Sequence, residues 1–149
     1  MLWKADMLLV LRYPVVLSTD GGSVIARFRD IPEAITEGTD HEEALANAVD
    51  CLDAALHFLM KDGKPVPFPS AEKPGEHGVV PTAEISMRVA LYQAYRDSGL
   101  SIADFSQRIG MNPARVREIV STYRSFDMRK VAEALRRLGR PVVLSVNAA

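Results

Sequence analysis

Seven residues near the end of the chain carry the side chains best suited to recognition chemistry: Asn112, Pro113, Ala114, Arg115, Arg117, Ser121 and Arg124. Their types suit a nucleic acid. A guanidinium bonds two acceptors at once, which matches the major-groove edge of guanine, and Arg117 is the residue best placed for it. Arg115, Arg124 and Asn112 fit phosphate contacts, which position a protein on DNA without reading sequence. Pro113, Ala114 and Ser121 share the outer side with Arg117. A solvated surface arginine is the plain alternative at each position, and for Arg124 the two readings weigh equally.

Such side chains need a helix held across a second helix. The stretch SIADFSQRIGMNPARVREIVS, residues 101–121, predicts that arrangement. Two helices, Ile102–Arg108 and Pro113–Ser121, flank Gly110, which supplies the positive φ that a tight turn demands. Ser106 is small where the helices must touch. Phe105, Ile109, Val116 and Ile119 form the inner face. Asn112 is a favoured N-cap and Pro113 a favoured first helical residue. In a helix-turn-helix, the second helix enters the major groove with its N-terminal residues toward the bases.

Further helices are expected at Ala83–Asp97 and Met128–Leu138, the latter stopped by Gly139 and Pro141. Val142–Val146 (VVLSV) reads as a short terminal strand. An unpaired edge there could join its copy, so Val142, Val143 and Leu144 are candidate dimer contacts. A single helix-turn-helix reads few bases, which makes a homodimer or larger homo-oligomer the expected state.

The first half has a different character. Residues 1–80 hold 7 Lys/Arg and 13 Asp/Glu, whereas residues 81–149 hold 11 Lys/Arg and 6 Asp/Glu. That split suits an acidic part facing a basic partner and a basic part facing phosphate. Arg12–Thr19 and Ser23–Phe28 form a hairpin around Asp20-Gly21-Gly22. Val24, Ala26 and Phe28 share one face. Ile31-Pro32 interrupts pairing, and Ala34–Glu37 gives a third strand ending at Gly38. A helix capped by Asp40, with Glu43 closing a capping box, runs to about Lys61. Ala44, Leu45, Ala48, Val49, Leu52, Leu56 and Leu59 recur along it at helical spacing. Residues 63–78 hold four prolines and form no packed element, although Val66 and Phe68 can dock. Val79-Val80 is a fourth short strand. Two domains follow, 1–80 and 81–149, in an α+β chain.

The segment RYPVVLSTDGGSVIARFRDIPEAITEGTDHEEALANAVDCLDAALHFLMKDGKPVPFPS resembles the HicB antitoxin family in the order and spacing of its pieces. These are the YPVV strand, the acidic-glycine turn, DIPEAITEG, the DHEEALANA helix start and the GKPVPFPS exit. Arg29 stands where the family often has proline, and Ala34 where glycine is common. The resemblance implies a partial ribonuclease-H-like β-β-β-α-β domain, here followed by an all-α helix-turn-helix domain with the short terminal strand. It also implies a partner, a small basic HicA-type toxin that cleaves mRNA, and repression of the protein's own operon through double-stranded operator DNA. Glu33 and Glu37, flanking the third strand, are the candidate toxin contacts.

Catalysis is not expected. Two-metal cleavage needs carboxylates converging on ions about 3.5–4 Å apart. Asp20 and Asp30 sit in a turn and a loop, and His41, His57 and His77 lack metal-ligand spacing. No cofactor is expected. A regulator whose first half senses a small ligand is the rival reading, but no glycine-rich phosphate loop supports it. No apolar run is long enough to span a bilayer. The start reads as a short lead-in to the first strand, not a signal peptide. Cys51 is the single cysteine, which fits a reducing cytoplasm.

Overall fold

The computed structural model describes residues 8–148. The expected lead-in at residues 1–7 lies outside them. Contacts divide the chain into two compact units, Met1–Ser86 and Met87–Ala149.

The first unit is one antiparallel sheet with a helix on one face. β1 (Tyr13–Asp20) and β2 (Ser23–Phe28) form the hairpin, with Val15 opposite Phe28 and Asp20 opposite Ser23. Gly21 and Gly22 both take positive φ in its turn. β3 (Ile35–Gly38) adds beside β2, and β4 (His77–Val79) beside β1, giving the order β3-β2-β1-β4. Alternation decides the faces. Val24, Ala26 and Phe28 are buried inward, while Val16, Arg27 and Ile35 share the opposite face.

α1 (His41–Lys61) covers the inner face. Asp40 accepts from the Glu43 amide at 2.9 Å, and the Glu43 carboxylate takes the Thr39 amide at 2.6 Å. Asp40 and Glu43 thus cap the helix as the sequence predicts, although the return bond goes to Thr39, one residue before the cap, where a strict capping box would use the Asp40 amide. The buried stripe is Ala44, Ala48, Leu52, Leu56 and Met60, with His57 also inside. Leu45, Val49 and Leu59 are only half-buried. The small alanines let the helix approach closely. Gly38 is needed for the same reason, because a β-carbon there would strike the Ala44 backbone.

Residues 64–76 form no regular element but are fastened at several points. The Tyr13 hydroxyl donates to the Pro67 carbonyl at 2.8 Å, and burial raises its pKa. Asp30 accepts from the Ser70 amide and hydroxyl, both at 2.7 Å. Arg29 donates to both Glu76 oxygens, at 2.8 and 2.9 Å. Arg12 pairs with Glu72. Val66 is buried and Phe68 half-buried, as the sequence suggests.

The helices continue with α2 (Ala83–Ser98), α3 (Ile102–Ile109), α4 (Pro113–Ser121) and α5 (Met128–Arg137). Thr82, preceding α2, is fixed by Asp53 at 3.0 and 2.7 Å. In the second unit the core gathers Leu91, Phe105, Ile109, Val116, Ile119, Val131 and Leu135. Tyr95 and Phe105 meet edge to face at 5.3 Å.

The expected terminal strand is absent. Among the described residues, those beyond Arg140 carry no strand, and Val142, Val143 and Leu144 are exposed by 45%, 67% and 84%. The physical reason is pairing. A strand needs a ladder partner, and the second unit of a single chain has none among its described residues.

Candidate nucleic-acid interface

α3 and α4 make the predicted two-helix element. Ser101 caps α3 by accepting from the Asp104 amide at 3.1 Å. At its other end Gly110 has φ of 71°. The Met111 amide donates to the Ser106 carbonyl at 2.9 Å and the Gly110 amide to Gln107 at 3.2 Å. These two bonds are the Schellman closure of a helix end. Ser106 is fully buried at this junction, with Phe105 and Ile109.

α4 then begins with Pro113 in its first turn. The Asn112 side chain accepts from the Ala114 amide at 2.8 Å, so its oxygen is committed to the cap. Val116, Ile119 and Val120 bury the inner side. Ala114 and Arg117 are exposed on the outer side, with Pro113 and Ser121 partly exposed. The Ser121 hydroxyl donates back to the Arg117 carbonyl, which leaves it only acceptor capacity.

The three arginines differ. The Arg117 guanidinium makes no hydrogen bond or ion pair with any described residue. Arg115 and Arg124, both expected to contact phosphate, converge instead on one carboxylate, that of Glu118. Arg115 also donates to the Ser125 carbonyl at 3.0 Å. Hydrogen bonds from Arg124 first and Arg115 second hold the Glu118 carboxyl below its usual pKa.

Two supporting residues escaped the sequence reading. Arg88 on α2 is fully buried and donates to the carbonyls of Ile119, Thr122 and Arg124, with its guanidinium 4.7 Å from the Phe126 ring centre. It satisfies carbonyls left over at the α4 C-terminus. Arg137 on α5 donates to the Ile109 carbonyl at 3.3 Å. No local pattern marks either, because both partners lie far along the chain.

In the first unit, Glu33 and Glu37 are exposed, and neither carboxylate has a partner among the described residues. Glu33 lines a cavity of about 350 Å³ with Ala34, Cys51, Ala55 and Phe58, the last 57% exposed. Glu37 lies on β3 opposite Ile25, and its carbonyl accepts from Asn47 at 2.9 Å. Asp30 is engaged by Ser70, so it does not converge with Asp20. Among the described residues, no three His, Cys, Asp or Glu side chains gather as a metal site. None of the described helices is long and apolar enough to cross a membrane.

Residues 12–90 match the family model of a HicB-like antitoxin of bacterial toxin–antitoxin systems. Antitoxin HicB 2 of Photorhabdus laumondii is 36% identical over 134 residues, covering 90% of this chain and 95% of that protein. Antitoxin HicB of Pseudomonas fluorescens is 30% identical over 138 residues, covering 92% and 94%. Antitoxin HicB of Escherichia coli K12 is 29% identical over 136 residues, covering 90% and 98%. A sheet built from the YPVV hairpin and DIPEAITEG, and a family match that spans it, place this chain in the HicB-like antitoxin family of bacterial toxin–antitoxin systems.

Proposed function

We propose that residues 1–80 bind and neutralise a small HicA-type toxin that cleaves mRNA, and that residues 81–149 repress the operon by binding operator DNA as a helix-turn-helix dimer or higher oligomer. The observation that carries the DNA half is the outer side of α4. It presents Arg117 exposed and without a partner among the described residues, beside the capped helix start at Asn112. A free guanidinium near a helix N-terminus is what base readout needs.

Family membership supports the antitoxin half. Glu33 and Glu37 add unpaired negative charge around β3. Such charge speeds encounter with a basic protein more than it adds affinity. Repression would work by occupying the operator, and Val142, Val143 and Leu144 would join two copies there.

The test is purification of the affinity-tagged full chain from its own cells, with mass spectrometry of what co-elutes. A small basic protein in near-stoichiometric amount, together with binding to the DNA upstream of the coding sequence, is the expected result. DNA binding without a protein partner would instead make the chain a regulator whose first half awaits a ligand.

A further inference from the structure

Glu118 is the residue for which neither the fold nor a direct DNA contact gives a reason. It sits on α4 between the free Arg117 and the inner face, with its carboxylate 20% exposed. One oxygen takes Arg115 and the other takes Arg124, whose side chain is 78% exposed. Both are arginines that the DNA-binding reading assigns to phosphate. The pairing therefore fills with a carboxylate the role that a phosphate would play.

We propose that Glu118 limits DNA affinity by competing with DNA phosphate for Arg115 and Arg124. This rests on the DNA-binding reading of α4 given above. With Glu118 in place, a duplex gains the two phosphate contacts only by displacing a charge-assisted pair. A cognate duplex also gains the base contact of Arg117, but it displaces the same pair. Glu118 thus holds down the phosphate-driven, salt-dependent part of the affinity for any duplex that uses the two arginines.

A bracing role is the competing explanation, since Glu118 ties the end of α4 to the segment after it. The geometry makes that role redundant. Arg88 already holds the carbonyls of Ile119, Thr122 and Arg124, and the Thr122 hydroxyl donates to the Glu118 carbonyl at 2.8 Å. Removing the carboxylate charge leaves all of these in place.

The experiment titrates the full chain against two short duplexes, one carrying the DNA upstream of its coding sequence and one a scrambled version, over a range of salt. Glu118→Gln should raise affinity for the scrambled duplex about fivefold to tenfold at low salt. It should also steepen the salt dependence by about one to two ions, because each phosphate neutralised contributes a slope near 0.9. Operator affinity should rise at least as much, because both duplexes escape the same displacement. Glu133→Gln on α5 removes the same charge from an exposed pairing with Arg136 and Arg137 and should do little. Arg124→Ala should remove much of the gain that Glu118→Gln gives, and a double-mutant cycle measures that coupling. Equal effects of Glu118→Gln and Glu133→Gln would overturn the inference. So would weaker binding to both duplexes with a lowered melting temperature, which is the signature of a brace. If the parent chain binds neither duplex at low salt, the DNA-binding reading itself fails, and the inference with it.

Discussion

The Arg137 guanidinium occupies the space that a β-carbon on Gly110 would need, while donating to the carbonyl of the neighbouring Ile109 at 3.3 Å. The α3–α4 turn is thus constrained twice. Its φ of 71° disfavours any side chain, and α5 closes over the place where one would go. Gly110→Ala should cost about 1–3 kcal/mol through left-handed strain plus displacement of Arg137. Urea unfolding of the full chain checks this, and an unchanged midpoint would refute it.

Arg88 should matter more to stability than any residue on the outer side of α4. Arg88→Met removes the donors of three carbonyls and should cost about 3–5 kcal/mol, the range for breaking a buried charged network. Arg88→Lys should not rescue it, since an ammonium cannot span the carbonyls that a planar guanidinium reaches. Loss of helical circular dichroism at lower urea is the readout.

Arg117→Ala should weaken operator binding by about 1–3 kcal/mol and relax preference at one base position. Its stability should match the parent, because the side chain contacts no described residue through hydrogen bonds or ion pairs. A gel-shift titration with unchanged operator affinity would remove Arg117 from the interface.

Acid should loosen the fastening at Glu76. Its hydrogen bonds from Arg29 depress its pKa from 4.5 to about 2. A depressed carboxyl stabilises the fold above its unfolded pKa and loses that contribution as pH falls through the folded one. Glu76→Gln should therefore be less stable than the parent by a constant margin at neutral pH. The margin should shrink between about pH 4.5 and pH 2. Urea midpoints measured across that window test the sign; a margin independent of pH would contradict it.

Val143→Glu and Leu144→Glu should shift the chain toward monomer in light scattering while leaving melting unchanged. Both positions are exposed in the single chain, so a new charge there meets water unless a second copy covers it. A mass that does not change with either variant would rule out this segment as the contact.

Much of the fold is legible locally. The helix cap at Asp40 and Glu43, the glycine turn at Gly21-Gly22 and the inward trio Val24, Ala26 and Phe28 each follow from a rule with short reach. The same holds for Asn112, Pro113 and Gly110 in the α3–α4 element. What sequence could not supply was partner choice. Arg115 and Glu118 stand three apart on one helix, a spacing that allows their pair, but Arg124 reaches the same carboxylate only when the segment after α4 folds back. No local signal marks Arg88, because its carbonyl partners at Ile119, Thr122 and Arg124 lie far along the chain. Val142–Val146 has strand composition, but β-propensity expresses fit to a sheet surface, and the single chain offers that segment none.

The order β3-β2-β1-β4 places the two shortest strands, of four and three residues, at the borders of the sheet. A border strand is where chains polymerise, because its unpaired amides and carbonyls template another strand. β4 covers only Tyr13–Val15 of β1, so among the described residues the β1 edge from Val16 to Asp20 has no strand beside it. A strand added to this sheet would find its longest open ladder there, beside Val16, which is exposed on the face away from α1 together with Ile35.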